Sequence, residues 1–396
     1  MSSQSSNGAS EAGLRLTIAA AAAGFITFVN MWCTQAILPV LAASLHVTQA
    51  ATGYTVTAPL VATAAMAPLI GAVSDRYGRK IFIAGAVFLL VIPTLLAAFA
   101  PSLGALVACR FAQGLLLPFI FTVTIAYIGD EMSGSGGMRL AGIYTSGTIL
   151  GGFSGRFIAG LATEMLGWRA AFLAIGVVTL ALALLIAVLL PKEHRFRPVP
   201  SIGGALRSFP DHFTNPRLIA TYAVGFGVLF SLVGVFTFIN FRLAEAPYSL
   251  GPAALGAIFV VYLGGAVASP VAGRLAAIHG RPGIMTAAFL MVIGGLGLTL
   301  AAPLWAIGLG LLAICCGIFT QQTLATGFIG PAARAAKSTA VGLYVTFYYI
   351  GGSFGGAVPA SLWHSAGWPG CAAIVAAMQV AMLLIASRGW RPLPGK

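Results

Sequence analysis

Apolar residues run along this chain in stretches long enough to cross a bilayer, which takes about 20 residues, and short polar or charged breaks separate them. Placing the breaks predicts twelve spans, at 17–41, 51–73, 81–100, 103–129, 139–163, 168–190, 218–241, 253–273, 283–302, 304–328, 339–361 and 370–387. The segment 191–217 is the one long polar connection. It divides the chain into two six-span bundles, 14–190 and 218–388, with a disordered tail at 1–13 and a second tail at 389–396. The expected class is an all-α polytopic membrane protein of two pseudo-symmetric six-helix bundles.

Composition agrees. Of 396 residues 59% are hydrophobic and 7% charged, and the mean hydropathy is +0.97. Soluble proteins carry about 25% charged residues, so a soluble globular enzyme is excluded. The fifty glycines suit a membrane bundle, where small residues let backbones approach closely. The net charge of +13 points to nucleic acid only if it is spread over a soluble surface. Here 17 of the 21 Lys and Arg fall in loops or tails on one side of the predicted spans. By the positive-inside rule that side is cytoplasmic, with both termini there, and no nucleic-acid partner is needed. The polar segment MSSQSSNGASEAG lacks the basic region and cleavage box of a signal peptide. The five cysteines sit in apolar runs without metal-ligand spacing, so they read as small packing residues, and no metal or cofactor is expected.

The two halves repeat. AGIYTSGTILGGFSGRFIAGLATEMLGW (141–168) aligns without gaps on VGLYVTFYYIGGSFGGAVPASLWHSAGW (341–368) with seven of 28 positions identical. APLIGAVSDRYGRK (67–80) meets SPVAGRLAAIHGRP (269–282) at Pro68, Gly71, Gly78 and Arg79. Spans 5 and 11 are therefore equivalent, as are spans 2 and 8. Parallel six-helix repeats are an arrangement of secondary transporters.

Three motifs carry a family resemblance. GAVSDRYGRK (71–80) resembles the signature loop of the major facilitator superfamily, G-x-x-x-D-R-x-G-R-K, and RFAQG (110–114) is similar to its R-x-x-Q-G element. GTILGGFSGR (147–156) resembles the antiporter motif G-x-x-x-G-P-x-x-G-G, with Gly152 in place of the Pro and Arg156 in place of the last Gly. GWRAAFLAIG (167–176), FIGPAARAAKSTAVGLY (328–344) and WHSAGWPG (363–370) are similar to the YnfM-like, acriflavine-sensitivity branch. The resemblance implies alternating access, antiport with protons, export of drug-like solutes, a bacterial inner-membrane location and a functional monomer. It also implies a cytoplasmic latch formed by Asp75, Arg76, Gly78 and Arg79 with Asp130 and Glu131. In it Asp75 faces the start of span 11 at Ser338–Thr339, the positive end of a helix dipole.

The eight carboxylates all fall in loops, tails or span ends, whereas Arg110 and Arg156 lie inside spans 4 and 5. A charge within the membrane costs at least about 2.5–3.5 kcal/mol and marks a functional site by default. Arg110 shares a helix face with Gln113, so both are expected to point into a cavity. Asn30, Gln35, Gln321, Gln322, Tyr344, Tyr348 and Tyr349 complete that expected cavity, suited to an amphiphilic organic solute. Gly147, Gly151 and Gly155, repeated as Gly351 and Gly355, make smooth helix faces expected to pack between the halves with Arg156.

Three functions compete. One is a proton-coupled exporter of drug-like solutes, whose weak point is the missing intramembrane carboxylate. The second moves an organic anion recognised by Arg110. The third is an intramembrane enzyme: GGSFG (351–355) matches G-x-S-x-G formally, but it lacks the strand-to-helix turn and the embedded partners of a nucleophile elbow.

Overall fold

A computed structural model describes residues 2–132, 134–193, 212–333 and 337–390, and every regular element among them is a helix. The first half holds α1 (Ser2–Trp32), a 3-10 turn (Gln35–Ile37), α2 (Leu38–Leu45), α3 (Gln49–Thr52), α4 (Tyr54–Tyr77), α5 (Arg79–Ala98), α6 (Leu103–Glu131), α7 (Gly134–Leu166) and α8 (Trp168–Leu189). The second half holds α9 (Pro216–Ala244), α10 (Pro252–Ala257), a 3-10 turn (Ile258–Val261), α11 (Tyr262–His279), α12 (Arg281–Leu298), α13 (Leu304–Ala332) and α14 (Lys337–Gly389). Within α14 the helical path breaks at Gly367, so α14 comprises two helices. Among the described residues nine helical segments are long and apolar enough to cross a membrane.

Alternating helix directions gather the loops at two ends. The terminal end carries Arg79 beside Asp130, and Trp390 against Phe328. The distal end carries Arg169 beside Ala100, and Tyr248 beside Ala302.

Four glycines with positive φ reverse the chain in a single residue: Gly78 (96°), Gly167 (87°), Gly280 (82°) and Gly367 (58°). A side chain is disfavoured in that region of φ. The four form two repeat-related pairs, Gly78 with Gly280 and Gly167 with Gly367, at the offsets of 202 and 200 that the sequence shows.

Two expectations need correction. The segment expected to be a disordered tail is helical from Ser2. The glycine faces pack within the halves, not between them. A Cβ on Gly147, Gly151 or Gly155 would strike the α1 backbone at Ala21, Phe25 or Val29, and one on Gly351 or Gly355 would strike α9 at Phe226 or Phe230. These glycines allow α7 to seat on α1, and the first part of α14 on α9.

The halves instead meet at two seams. In one, α7 packs on α10 and α11; in the other, the first part of α14 packs on α3 and α4. Gly160 lies against Pro252 and Gly256 against Arg156 in the first seam, and Gly356 lies against Thr57 in the second. By the internal repeat the two seams are equivalent.

Candidate functional site between the halves

Each half encloses a polar core that does not reach the seams. In the first half, Arg110 on α6 is fully buried. Its Nε donates to the Thr55 carbonyl (3.0 Å), its Nη1 to the Asn30 carbonyl (2.6 Å) and Gln113 Oε1 (2.5 Å), and its Nη2 to the Met31 carbonyl (2.5 Å). Gln113 Nε2 donates to Thr94 Oγ1, which donates to Asn30 Oδ1, and Asn30 Nδ2 donates to Thr179 Oγ1. Arg110, Gln113 and Asn30, expected to line a cavity, are bound to one another and to backbone carbonyls of their own half. The Asn30 and Met31 carbonyls are free because α1 ends there, and the Thr55 carbonyl because Pro59, four residues on, has no N–H; these acceptors capture the guanidinium.

The second half repeats the device without charge. Gln321 on α13 donates to Gln379 Oε1 (2.7 Å), and Gln379 donates to Ser231 Oγ on α9 (2.7 Å). Gln321 is thus an internal tie rather than a cavity residue. Tyr344 is likewise buried against Gly225 of α9.

Arg156 lies between the halves. It is fully buried, ten residues before the end of α7, which is about 15 Å of helix. Nε and Nη2 both donate to Gln35 Oε1 (2.9 and 2.6 Å), Nη1 donates to the Gly152 carbonyl (2.7 Å), and Nη2 reaches Tyr262 Oη (3.4 Å). The guanidinium carbon stands 4.9 Å from the Trp32 ring centre, 4.2 Å from Phe259 and 4.7 Å from Tyr262. Gln35 continues across the seam. Its Nε2 donates to Thr237 Oγ1 (3.1 Å), and its carbonyl accepts from Asn240 Nδ2 (2.8 Å), both on α9.

An aromatic group lies at mid-depth. Tyr349 meets Phe121 of the other half with ring centres 5.9 Å apart, Tyr348 packs edge-on to Tyr349, and Tyr348 Oη donates to Gln322 Oε1 (3.4 Å). At the distal end Gln49 of α3 donates to Glu245 Oε1 (3.0 Å) and accepts from Trp363 Nε1 (2.6 Å), while Glu164 Oε2 accepts from the Ala253 amide (2.9 Å). A cavity of about 760 Å³ beside this clasp is lined by Arg242, Glu245, Tyr248, Trp363, His364 and Trp368, among others.

At the terminal end the Arg79–Asp130 ion pair (2.6 Å) joins α5 to α6 inside one half, so it does not bridge the halves. Glu193 Oε1 accepts from the amides of Arg79 (2.6 Å) and Lys80 (2.8 Å), fixing the start of the central segment on the α4–α5 turn at Gly78. Glu131 ends α6 beside Asp130. The side chains of Asp75, Arg76 and Ser338 lie outside the described residues.

Sequence reasoning missed Asn240, Thr237, Tyr262, Gln49 and Trp363. Asn240 was findable, as an amide inside the apolar run VFTFINF. The distal clasp was not, since its members lie at the ends of predicted spans and look like ordinary loop residues.

Comparison with known proteins accords with this architecture. Residues 20–356 match the family model of the Major Facilitator Superfamily. The chain is 34% identical to the inner membrane transport protein YnfM of Escherichia coli K12, over 96% of this chain and 91% of that one. It is 30% identical to an uncharacterized transporter of Buchnera aphidicola subsp. Schizaphis graminum, over 91% of this chain and 88% of that one. The crystal structure of a mutant of the nucleoside transporter NupG superposes with a TM-score of 0.79 at 14% identity, covering 96% of this chain and all of that one. Two repeated helical halves, meeting along two equivalent seams, belong to a membrane transporter of the major facilitator superfamily.

Proposed function

We propose that the protein is a proton-coupled exporter of small amphiphilic organic solutes, working by alternating access as a monomer in a bacterial inner membrane. An even number of spans puts both termini on one side, and the Lys and Arg bias of the loops supports the cytoplasm as that side, with the distal end toward the periplasm. The observation that carries the reading is where the halves are tied. The bonds of Gln35, Gln49, Arg156 and Glu164 across the seams lie at the distal end or at mid-depth. Ties at that end are what a carrier closed outward requires. An amphiphilic solute suits the mixed wall of Gln322, Tyr348, Tyr349 and Phe121.

The decisive experiment is flux in proteoliposomes with lipophilic cations, neutral sugars and organic anions, each with and without a pH gradient. A solute moved against its gradient at the expense of the proton gradient is expected. If no solute responds to the pH gradient, proton coupling fails. A C-terminal reporter active only in the periplasm should stay silent, and activity there would overturn the topology.

A second reading, transport of an organic anion, gains support from Arg156 and not from Arg110. Of these two embedded cations, Arg156 is the one with partners in the opposite half.

A further inference from the structure

The geometry points to Arg156 as the anion-recognising residue of this carrier, meeting the carboxylate or sulfonate of an aromatic organic anion on the release side of an exporter, when the two halves part at the distal end. The inference rests on the alternating-access reading and specifies the substrate class for it.

Four observations converge. Arg156 is buried inside the membrane, and its partners among the described residues are neutral: an amide, a carbonyl, a phenol and three aromatic faces. A guanidinium held by neutral groups in a low-dielectric site carries charge that a ligand can neutralise.

Its partners are divided between the halves. Gln35, Gly152 and Trp32 move with Arg156, whereas Phe259 and Tyr262 belong to the other half. Parting of the halves removes two aromatic faces and one hydroxyl from the cation and leaves its fork supported by Gln35. An anion with a flat apolar body replaces what is lost: a carboxylate or sulfonate oxygen on the Nη2 edge that Tyr262 vacates, beside Gln35, and a ring for the departed faces.

The fold supplies its own control. At the offset of 200 the residue equivalent to Arg156 is Gly356, and there the second seam closes on Thr57 with no room for a Cβ. Packing of this kind of seam therefore has no need of an arginine.

The other embedded cation, Arg110, is excluded by its bonds. Three carbonyls and Gln113, all in its own half, hold it, so parting of the halves does not change its surroundings.

The test uses the full-length protein in detergent, with thermal stabilisation as the readout. The probes are naphthalene-2-carboxylate, naphthalene-2-sulfonate, the neutral naphthalene-2-carboxamide and 2-naphthylmethylammonium. The wild type should be stabilised by the two anions at concentrations at least tenfold below those needed for the amide or the ammonium. Arg156→Gln should lose that preference. Arg156→Lys, which keeps the charge without the fork, should lose most of it. Equal effects of anion and amide on the wild type, including no effect of either, overturn the assignment. So does a full preference retained in Arg156→Gln, or in Arg156→Lys if the glutamine variant does not fold. Flux in liposomes separates the two levels of failure. A pH-driven neutral or cationic solute with no anion competition removes Arg156 as the recognition residue and leaves alternating access standing, whereas absence of all gradient-driven flux removes the transport reading itself.

Discussion

Glu164 at the end of α7 accepts a hydrogen bond from the Ala253 amide of α10, 2.9 Å away and in the opposite half. A carboxylate on the free amides at a helix start is favoured by about 0.3–1 kcal/mol near the surface. Glu164→Gln keeps an oxygen acceptor and loses the charge, so the distal clasp should weaken by that amount. The population open at the distal end should rise by up to about fivefold. Spin-label distances between α7 and α10 check this: an unchanged distribution would show that Glu164 does not help to hold the halves.

Two classes of glycine should respond differently. A Cβ at Gly151 meets the Phe25 backbone inside one half, while a Cβ at Gly256 lies 2.7 Å from the Arg156 carbonyl across the seam. Overpacking typically costs about 1–3 kcal/mol. Gly151→Ala should therefore lower Tm, whereas Gly256→Ala should leave each half intact and wedge the distal end open. Thermal melts paired with labelling of distal cysteines distinguish them; identical behaviour would refute the division of the chain into two rigid halves.

Arg110→Gln should damage folding rather than selectivity. It removes donors from the carbonyls of Asn30, Met31 and Thr55 inside a fully buried network. Membrane-interior hydrogen bonds average about 0.6 kcal/mol each with a maximum near 1.7, so the summed loss is on the order of 2–4 kcal/mol. Yield and Tm should fall for Arg110→Gln, with any residual transport keeping its solute preference. A stable variant with altered preference would return Arg110 to the substrate site.

Glu193→Ala should loosen the first turn of α5. The lost carboxylate leaves the Arg79 and Lys80 amides without their acceptor, and removing a cap costs about 0.5–2 kcal/mol. Hydrogen exchange at those two amides should quicken by about tenfold, which corresponds to about 1.4 kcal/mol. Asp130→Asn should do less, because its carboxylate is 37% exposed and such pairs contribute at most about 1 kcal/mol.

Much of the architecture was legible because the repeat was. Spans 2, 5, 8 and 11, the four whose residues align between the halves, are the helices that form the two seams. Placement of single side chains was less legible, for a physical reason. Periodicity tells which helix face a residue shares, but in a six-helix bundle a face can turn to a neighbour in the same half or to the other half. Gln113 and Gln35 look alike in sequence, and one is a tie within α1, α5 and α6 while the other crosses the seam. Adjacent Gln321 and Gln322 also turn to different neighbours, both in the second half, one toward Gln379 and one toward Tyr348. Motif matching was also ambiguous at Arg156, where one residue departing from a glycine pattern turned out to stand at the contact between halves.

The one-residue reversals have a mechanical consequence. Gly78, Gly167, Gly280 and Gly367 each join a seam helix to its neighbour through a single residue, so the two helices of each hairpin form a stiff lever with almost no slack at the joint. The neighbours are α5, α8, α12 and the last part of α14, which turn large apolar side chains such as Phe88, Val177, Leu290 and Leu384 outward, where lipid tails press on them. Each lever thus has one arm in the seam and the other in the bilayer. Load on the outer arms from the surrounding lipid is thereby passed through these joints to the seam helices.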